Sequence, residues 1–128
     1  MKKSKEVLIV DSHEEVLISL EKLLEDAGFT TTTAWSAQEA EILLKAHPFE
    51  VVLVGDRLPD RRCEDLFRVV KRHRGSTRLI VLQASSPIVD DGSRFVFSGA
   101  FAVTCKHEHS AVLSAVRKAF AVSEHAVA

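Results

Sequence analysis

Cysteine is scarce in this chain. Cys63 and Cys105 are the only two in 128 residues, far apart and outside any metal-ligand spacing, which excludes a zinc centre and a disulfide framework. No apolar run approaches the roughly 18 residues that a membrane span needs. The opening MKKSKEVLIVDS sets basic residues before an apolar segment, but EVLIV is too short for a signal-peptide core and Asp11 follows at once. The chain therefore reads as cytoplasmic, with no membrane partner. It also lacks a Gly-rich phosphate loop, a nucleophile elbow and a Ser/His/Asp spacing, so nothing in it marks an enzyme. Internal repeats, low-complexity tracts and linkers are missing as well.

What remains is the composition of one soluble globular domain, 46% hydrophobic and 27% charged, spanning 1–128 with a core expected at about 6–122. The net charge of −1 conceals an uneven distribution. Residues 1–50 carry ten acids against five bases, residues 51–78 four against eight, and the rest four of each.

Short apolar runs alternate with amphipathic stretches, the signature of repeated βα units around a parallel sheet. EVLIV (6–10), FTTTTA (29–34), EVVLVG (50–55), RLIVLQ (78–83) and FAVTC (101–105) read as strands. The first, third and fourth are nearly continuous Val, Ile and Leu, as strands covered on both faces should be. Val16, Leu17, Leu20, Leu23, Leu24 and Ala27 recur at helical spacing before Gly28, a C-terminal glycine. Ser12 and Ser36 each open an S-x-x-E capping box. A third helix is expected near 61–73 and a fifth near 109–122, with SEHAVA fraying beyond it. The fourth should be short or irregular, because Pro87, Gly92 and β-branched residues are poor helix material.

Open parallel sheets place ligands at the carboxyl ends of their strands. That rule selects Asp11 and Ser12, Gly55 and Asp56, Gln83 and Ala84, and Lys106. These residues, with VLIVDS, LLEDAGFTTTTAWSAQEAEILLKAHPFEVVLVGDRLPD, IVLQAS and SGAFAVTCK in this order, resemble the receiver domain of two-component response regulators over nearly everything from Glu6 to Phe120. The resemblance implies a flavodoxin-like (βα)5 three-layer sandwich with strand order 2-1-3-4-5, and a place in bacterial two-component or phosphorelay signalling.

Receivers of that family accept a phosphoryl group from a histidine kinase on an aspartate ending strand three, with Mg²⁺ held by acids after strand one. Asp11 matches the first of those acids, Ser12 falls at the second, and Lys106 matches the lysine that contacts the phosphoryl group. Counting back from Pro59 puts the acceptor position at Gly55. Gln83 and Val103 fall at the switch positions, where the family has a hydroxyl residue and an aromatic. Cys63 stands for the glycine after the turn, and His107 for the proline after the lysine.

Mg²⁺ takes hard oxygen ligands, and acyl-phosphate formation needs a carboxylate nucleophile held in line. With Asp11 the single weak candidate ligand, no metal or cofactor is expected, and Mg²⁺ binding should be lost or weak. The chain then reads as a pseudo-receiver acting through protein contacts with a histidine kinase, an output domain or a second receiver. Family receivers commonly communicate through the surface of helix four, strand five and helix five, which the resemblance makes a candidate dimer surface here.

Two rivals stand beside this reading. Asp56 could act as the acceptor if the backbone bulged at Gly55, although strand alternation turns it away from the crevice. The bases Arg57, Arg61, Arg62, Arg68, Lys71, Arg72, Arg74 and Arg78 could serve a nucleic-acid-binding module or dock an acidic protein. A solvated helix face is the plainer reading, given interleaved Asp60, Glu64 and Asp65. The His107-Glu108-His109 run is read as a loop and helix start rather than a metal site.

Overall fold

The computed structural model describes residues 5–73, 75–85 and 90–126, with side chains through Val122. Arg74 and residues 86–89, including Pro87, lie outside the described residues. The chain folds into β1 (Glu6–Val10), α1 (Glu14–Asp26), β2 (Thr30–Ala34), α2 (Ala37–Ala46), β3 (Val51–Gly55), α3 (Cys63–His73), β4 (Arg78–Gln83), α4 (Ser93–Phe97), β5 (Ala102–Cys105) and α5 (His109–Ala126). All strands run parallel in the order β2-β1-β3-β4-β5, the topology expected from the sequence.

Period-two alternation divides the central strands between two cores. Leu8, Val10, Val52, Val54, Leu79 and Val81 pack with Ala37 and Ala40 of α2, Leu66, Phe67 and Val70 of α3, and Phe95 of α4. Val7, Ile9, Val51, Leu53, Ile80 and Leu82 pack with Leu20 and Leu24 of α1 and Val112, Val116, Ala119 and Phe120 of α5. Both sets of side chains are buried, which explains why these strands read as unbroken apolar runs. Fully burying each Val, Leu or Ile side chain contributes about 1.5–3 kcal/mol, so the sheet is the stable platform for whatever its strand ends carry.

The helix ends hold two departures from expectation. Ser12 does not cap α1: His13 occupies the N-cap position without a side-chain cap bond, and its N–H is taken instead by Asp11 Oδ1 at 2.9 Å. The last helix continues through Ala126 rather than ending near 122, because AVSEHA contains no proline or glycine to stop the ladder. Elsewhere the local signals hold. Gly28 has φ +96° and closes α1 in a Schellman arrangement, with Phe29 N–H on Leu24 O and Gly28 N–H on Glu25 O, both at 3.0 Å. Ser36 Oγ accepts from Glu39 N–H at 3.1 Å. The fourth helix is five residues long.

A candidate receiver-type pocket at the carboxyl edge of the sheet

Hydrogen bonding continues one residue past three of the strands. Asp11 N–H donates to Ala34 O at 3.1 Å, Asp56 N–H to Leu82 O at 2.9 Å and Lys106 N–H to Gln83 O at 2.8 Å. These bonds fix the backbone at the sheet's carboxyl edge, and alternation then sorts the side chains into two groups.

The first group lies on the α1/α5 side. Asp11 and Lys106 are both buried, with 1% and 6% side-chain exposure, and Lys106 Nζ donates to Asp11 Oδ2 at 3.0 Å. The other carboxylate oxygen, Oδ1, accepts from His13 N–H at 2.9 Å and lies 3.0 Å from His13 Nδ1. An exposed ion pair would be worth about 0.2–1 kcal/mol. A buried one behaves differently, since removing one partner strands a charge at a cost of about 3–5 kcal/mol.

Gly55 belongs to this group and is fully buried. A Cβ built on it would stand 2.7 Å from Asp11 Oδ2 and 3.3 Å from Asp11 Cγ. The Asp11 carboxylate thus fills the space into which any side chain at residue 55 would start. Its φ is not positive, so a side chain here is disfavoured by crowding against Asp11 rather than by backbone conformation, and would have to displace that carboxylate.

The second group lies on the α3/α4 side. Asp56 is half-buried and lines a cavity of about 600 Å³ with Arg57, Arg62, Arg94 and Phe95. Lys106 instead lines a separate cavity of about 330 Å³ with His13, Ala84, His107 and His109. Gln83, 2% exposed, donates from Nε2 to Asp90 O at 3.0 Å, while its buried Oε1 has no hydrogen-bond partner among the described residues. Gly92 has φ +71°, and a Cβ there would fall 2.5 Å from Val103 Cγ1 and 2.9 Å from Gln83 Oε1. Gln83 and Val103 therefore meet at Gly92, just before α4. Gly92 N–H donates to Asp90 Oδ1 at 2.9 Å and Arg94 Nη1 to Asp90 Oδ2 at 2.7 Å. Those two bonds, the backbone one foremost, hold the Asp90 carboxyl below its usual range.

Ser12 is half-buried, and its Oγ lies 3.5 Å from His13 Nδ1. The donor set offered to Mg²⁺ is thus one carboxylate with both oxygens already engaged, one hydroxyl and a glycine. Such a set does not fit an ion that demands hard, free oxygen ligands in octahedral geometry. His107 and His109 belong to no group of three or more His, Cys, Asp or Glu able to hold a metal among the described residues.

The turn after β3 carries a contact that local pattern reading misses. Asp60 accepts from Ala37 N–H and Gln38 N–H, both at 2.9 Å, so its carboxylate caps α2 from another loop. Although partial burial raises its pKa, these backbone bonds outweigh that and hold it below the usual range. The cap ties the Leu58-Pro59-Asp60 turn to α2. Cys63 is buried, and its thiol is pushed up to about 12 by desolvation and then by its bond to Glu64. Part of the basic stripe is paired: Arg61 with Glu41 at 2.6 Å, Arg62 with Glu64 at 3.1 Å, and Arg68 approaches Asp65 at 4.0 Å. Arg57 is exposed, and Arg78 reaches over the Phe101 ring at 6.0 Å.

The model of the response regulator receiver domain matches residues 7–118. Among curated proteins, the probable transcriptional regulatory protein SgaR of Hyphomicrobium methylovorum is 32% identical over 112 residues, covering 84% of this chain and 52% of that protein. The chain thus spans about half the length of that relative. The alginate biosynthesis transcriptional regulatory protein AlgB of Pseudomonas aeruginosa is 28% identical over 82 residues, 18% of its own length. The CheY-like response regulator receiver domain protein of Methanospirillum hungatei JF-1 superposes with a TM-score of 0.86 at 23% identity, over 96% of this chain and 98% of that one.

Proposed function

The chain belongs to the response regulator receiver domain family of two-component signalling, and from that premise we propose that it signals without phosphorylation at the usual position. In this reading it is a pseudo-receiver that works by protein contact and carries out no catalysis. The observation that supports it most is the overlap at Gly55: the place of the missing nucleophile is taken by the Asp11 carboxylate, 2.7 Å from the would-be Cβ and paired with Lys106. The charge that a metal or phosphoryl group would balance is balanced within the protein.

The switch positions fit the same reading. Gln83 and Val103 close on Gly92, and the Gln83 amide is tied to the backbone of Asp90. A hydroxyl following a phosphoryl group and an aromatic moving behind it have no counterparts here. Asp90 is bonded to Gln83, Gly92 and Arg94 ahead of α4, whose exposed face carries Val96 and Phe97, the latter 90% exposed. In this proposal α4, β5 and α5 present a fixed docking surface to a kinase, an output domain or a second receiver. A regulatory output like that named for SgaR would then pass through such a contact.

Backbone amide spectra test the reading. Adding millimolar Mg²⁺ and then acetyl phosphate should leave the resonances of Gly55, Gln83 and Lys106 unmoved. Saturable shifts at those three amides would restore the phosphorylation-dependent reading, with Asp56 as the acceptor to be tested by Asp56→Asn.

A further inference from the structure

On α1, Glu14, Leu17, Ile18 and Glu21 follow one another at i, i+3, i+4 and i+7, which aligns them on one face of the helix. With Ser12, Thr33 and Trp35 they line a cavity of about 430 Å³ beside the edge strand β2. The apolar centre of this surface is open, with Ile18 59% and Trp35 58% exposed. Among the described residues neither Glu14 nor Glu21 takes part in an ion pair. An acidic rim around an aromatic and aliphatic centre favours a cationic partner whose aliphatic stems lie over the ring.

The complementary surface is on the same chain. On α3, Arg68, Lys71 and Arg72 stand at i, i+3 and i+4 and are all exposed; Lys71 and Arg72 have no ion-pair partner among the described residues. Because α1 packs on one face of the sheet and α3 on the other, the two surfaces cannot meet within one molecule. We infer that the α1 surface around Trp35 receives the α3 face of a second copy of this chain, in a head-to-tail contact. Glu14 and Glu21 pair with Arg68 and Arg72 while their stems cover Ile18 and Trp35. The division of charge along the chain, ten acids to five bases before residue 51 and eight bases to four acids over 51–78, is what such a contact uses. A contact of this kind is heterologous and need not stop at two copies. It is separate from the α4-β5-α5 surface and does not depend on the state of the Gly55 pocket.

The test uses the full chain. Trp35 is the single tryptophan and there is no tyrosine, so its emission reports this surface directly. Sedimentation velocity in low salt should show species growing with concentration, accompanied by a blue shift of Trp35 emission. Both should vanish near ~0.5 M salt, where exposed charges are screened within a few ångströms. Glu14→Lys/Glu21→Lys and Arg68→Glu/Arg72→Glu chains, each checked for folding by circular dichroism, should be monomeric alone. Mixed one to one they should associate again and grow beyond a dimer, since the basic α3 face of the first meets the acidic α1 surface of the second and the two reversed surfaces complement each other as well. The chain carrying all four reversals should associate again. A monomer at every concentration in low salt would overturn the inference. So would association that the charge reversals leave intact and Phe97→Ser abolishes.

Discussion

Replacing Gly55 by alanine separates a crowded site from an empty one, because the two give opposite signs. Gly55 does not adopt a positive φ, so in open space alanine would stabilise by about 0.4–1 kcal/mol through the lost freedom of the unfolded chain. Here the new Cβ would lie 2.7 Å from Asp11 Oδ2, a carboxylate held by Lys106 at 3.0 Å and by His13 N–H at 2.9 Å. Asp11 must turn away and leave the Lys106 ammonium buried with a poorer partner. Outright loss of a buried partner costs about 3–5 kcal/mol; since Asp11 is displaced rather than deleted, the expected cost is about 2–4 kcal/mol. In a domain of this size that lowers Tm by roughly 6–12 °C. Urea titration measures the change, and the same substitution in an Asp11→Ala background supplies the cycle. There alanine at residue 55 meets no carboxylate and should be neutral or mildly stabilising. A neutral or stabilising Gly55→Ala in the wild-type background would refute the crowding argument.

Other outcomes follow from the same geometry. Low-millimolar Mg²⁺ should leave the Tm of the wild-type chain unchanged but raise that of Gly55→Asp, where two carboxylates would repel each other and gain from a cation; thermal shift in matched ionic strength reads both. Asp60→Ala removes the carboxylate that accepts from Ala37 and Gln38 N–H and should cost about 1–2 kcal/mol in urea. Glu41 is bonded to Lys45 and Arg61, which hold its carboxyl at about 2 against an ordinary 4.5. A depressed folded pKa means that its contribution is complete above pH 4.5 and is lost as pH falls toward 2; the wild-type advantage over Glu41→Gln in urea, about 0.5–1 kcal/mol at pH 7, should shrink across that window. Cys63, pushed up to about 12 within the core, should resist iodoacetamide at pH 8 until urea unfolds the chain.

The fold was legible because its signals are local and repeated. Val7–Val10, Val51–Val54 and Leu79–Leu82 are apolar on both faces, which only a sheet covered twice can accommodate, and Gly28 and Ser36 mark helix ends by short-range bonds. Gly55 was legible by its spacing to Pro59. What fills the space above it was not, since the Asp11 orientation depends on Lys106, brought across the sheet from a distant part of the chain. The Ser12 capping pattern failed for a related reason: Asp11 takes the His13 N–H and α1 starts at Glu14. Asp60 capping α2 and Gly92 beneath Val103 are likewise long-range. A glycine before a short helix was visible as a turn signal, but the partners that demand it were not.

The central claim is that this receiver takes no phosphoryl group at the usual position. Incubating the chain with acetyl phosphate and Mg²⁺ and weighing it intact tests this most directly. The wild-type chain should show no aspartyl-phosphate increment under conditions that fully modify an active receiver. An increment that disappears in Asp56→Asn would contradict the account and make Asp56 the acceptor.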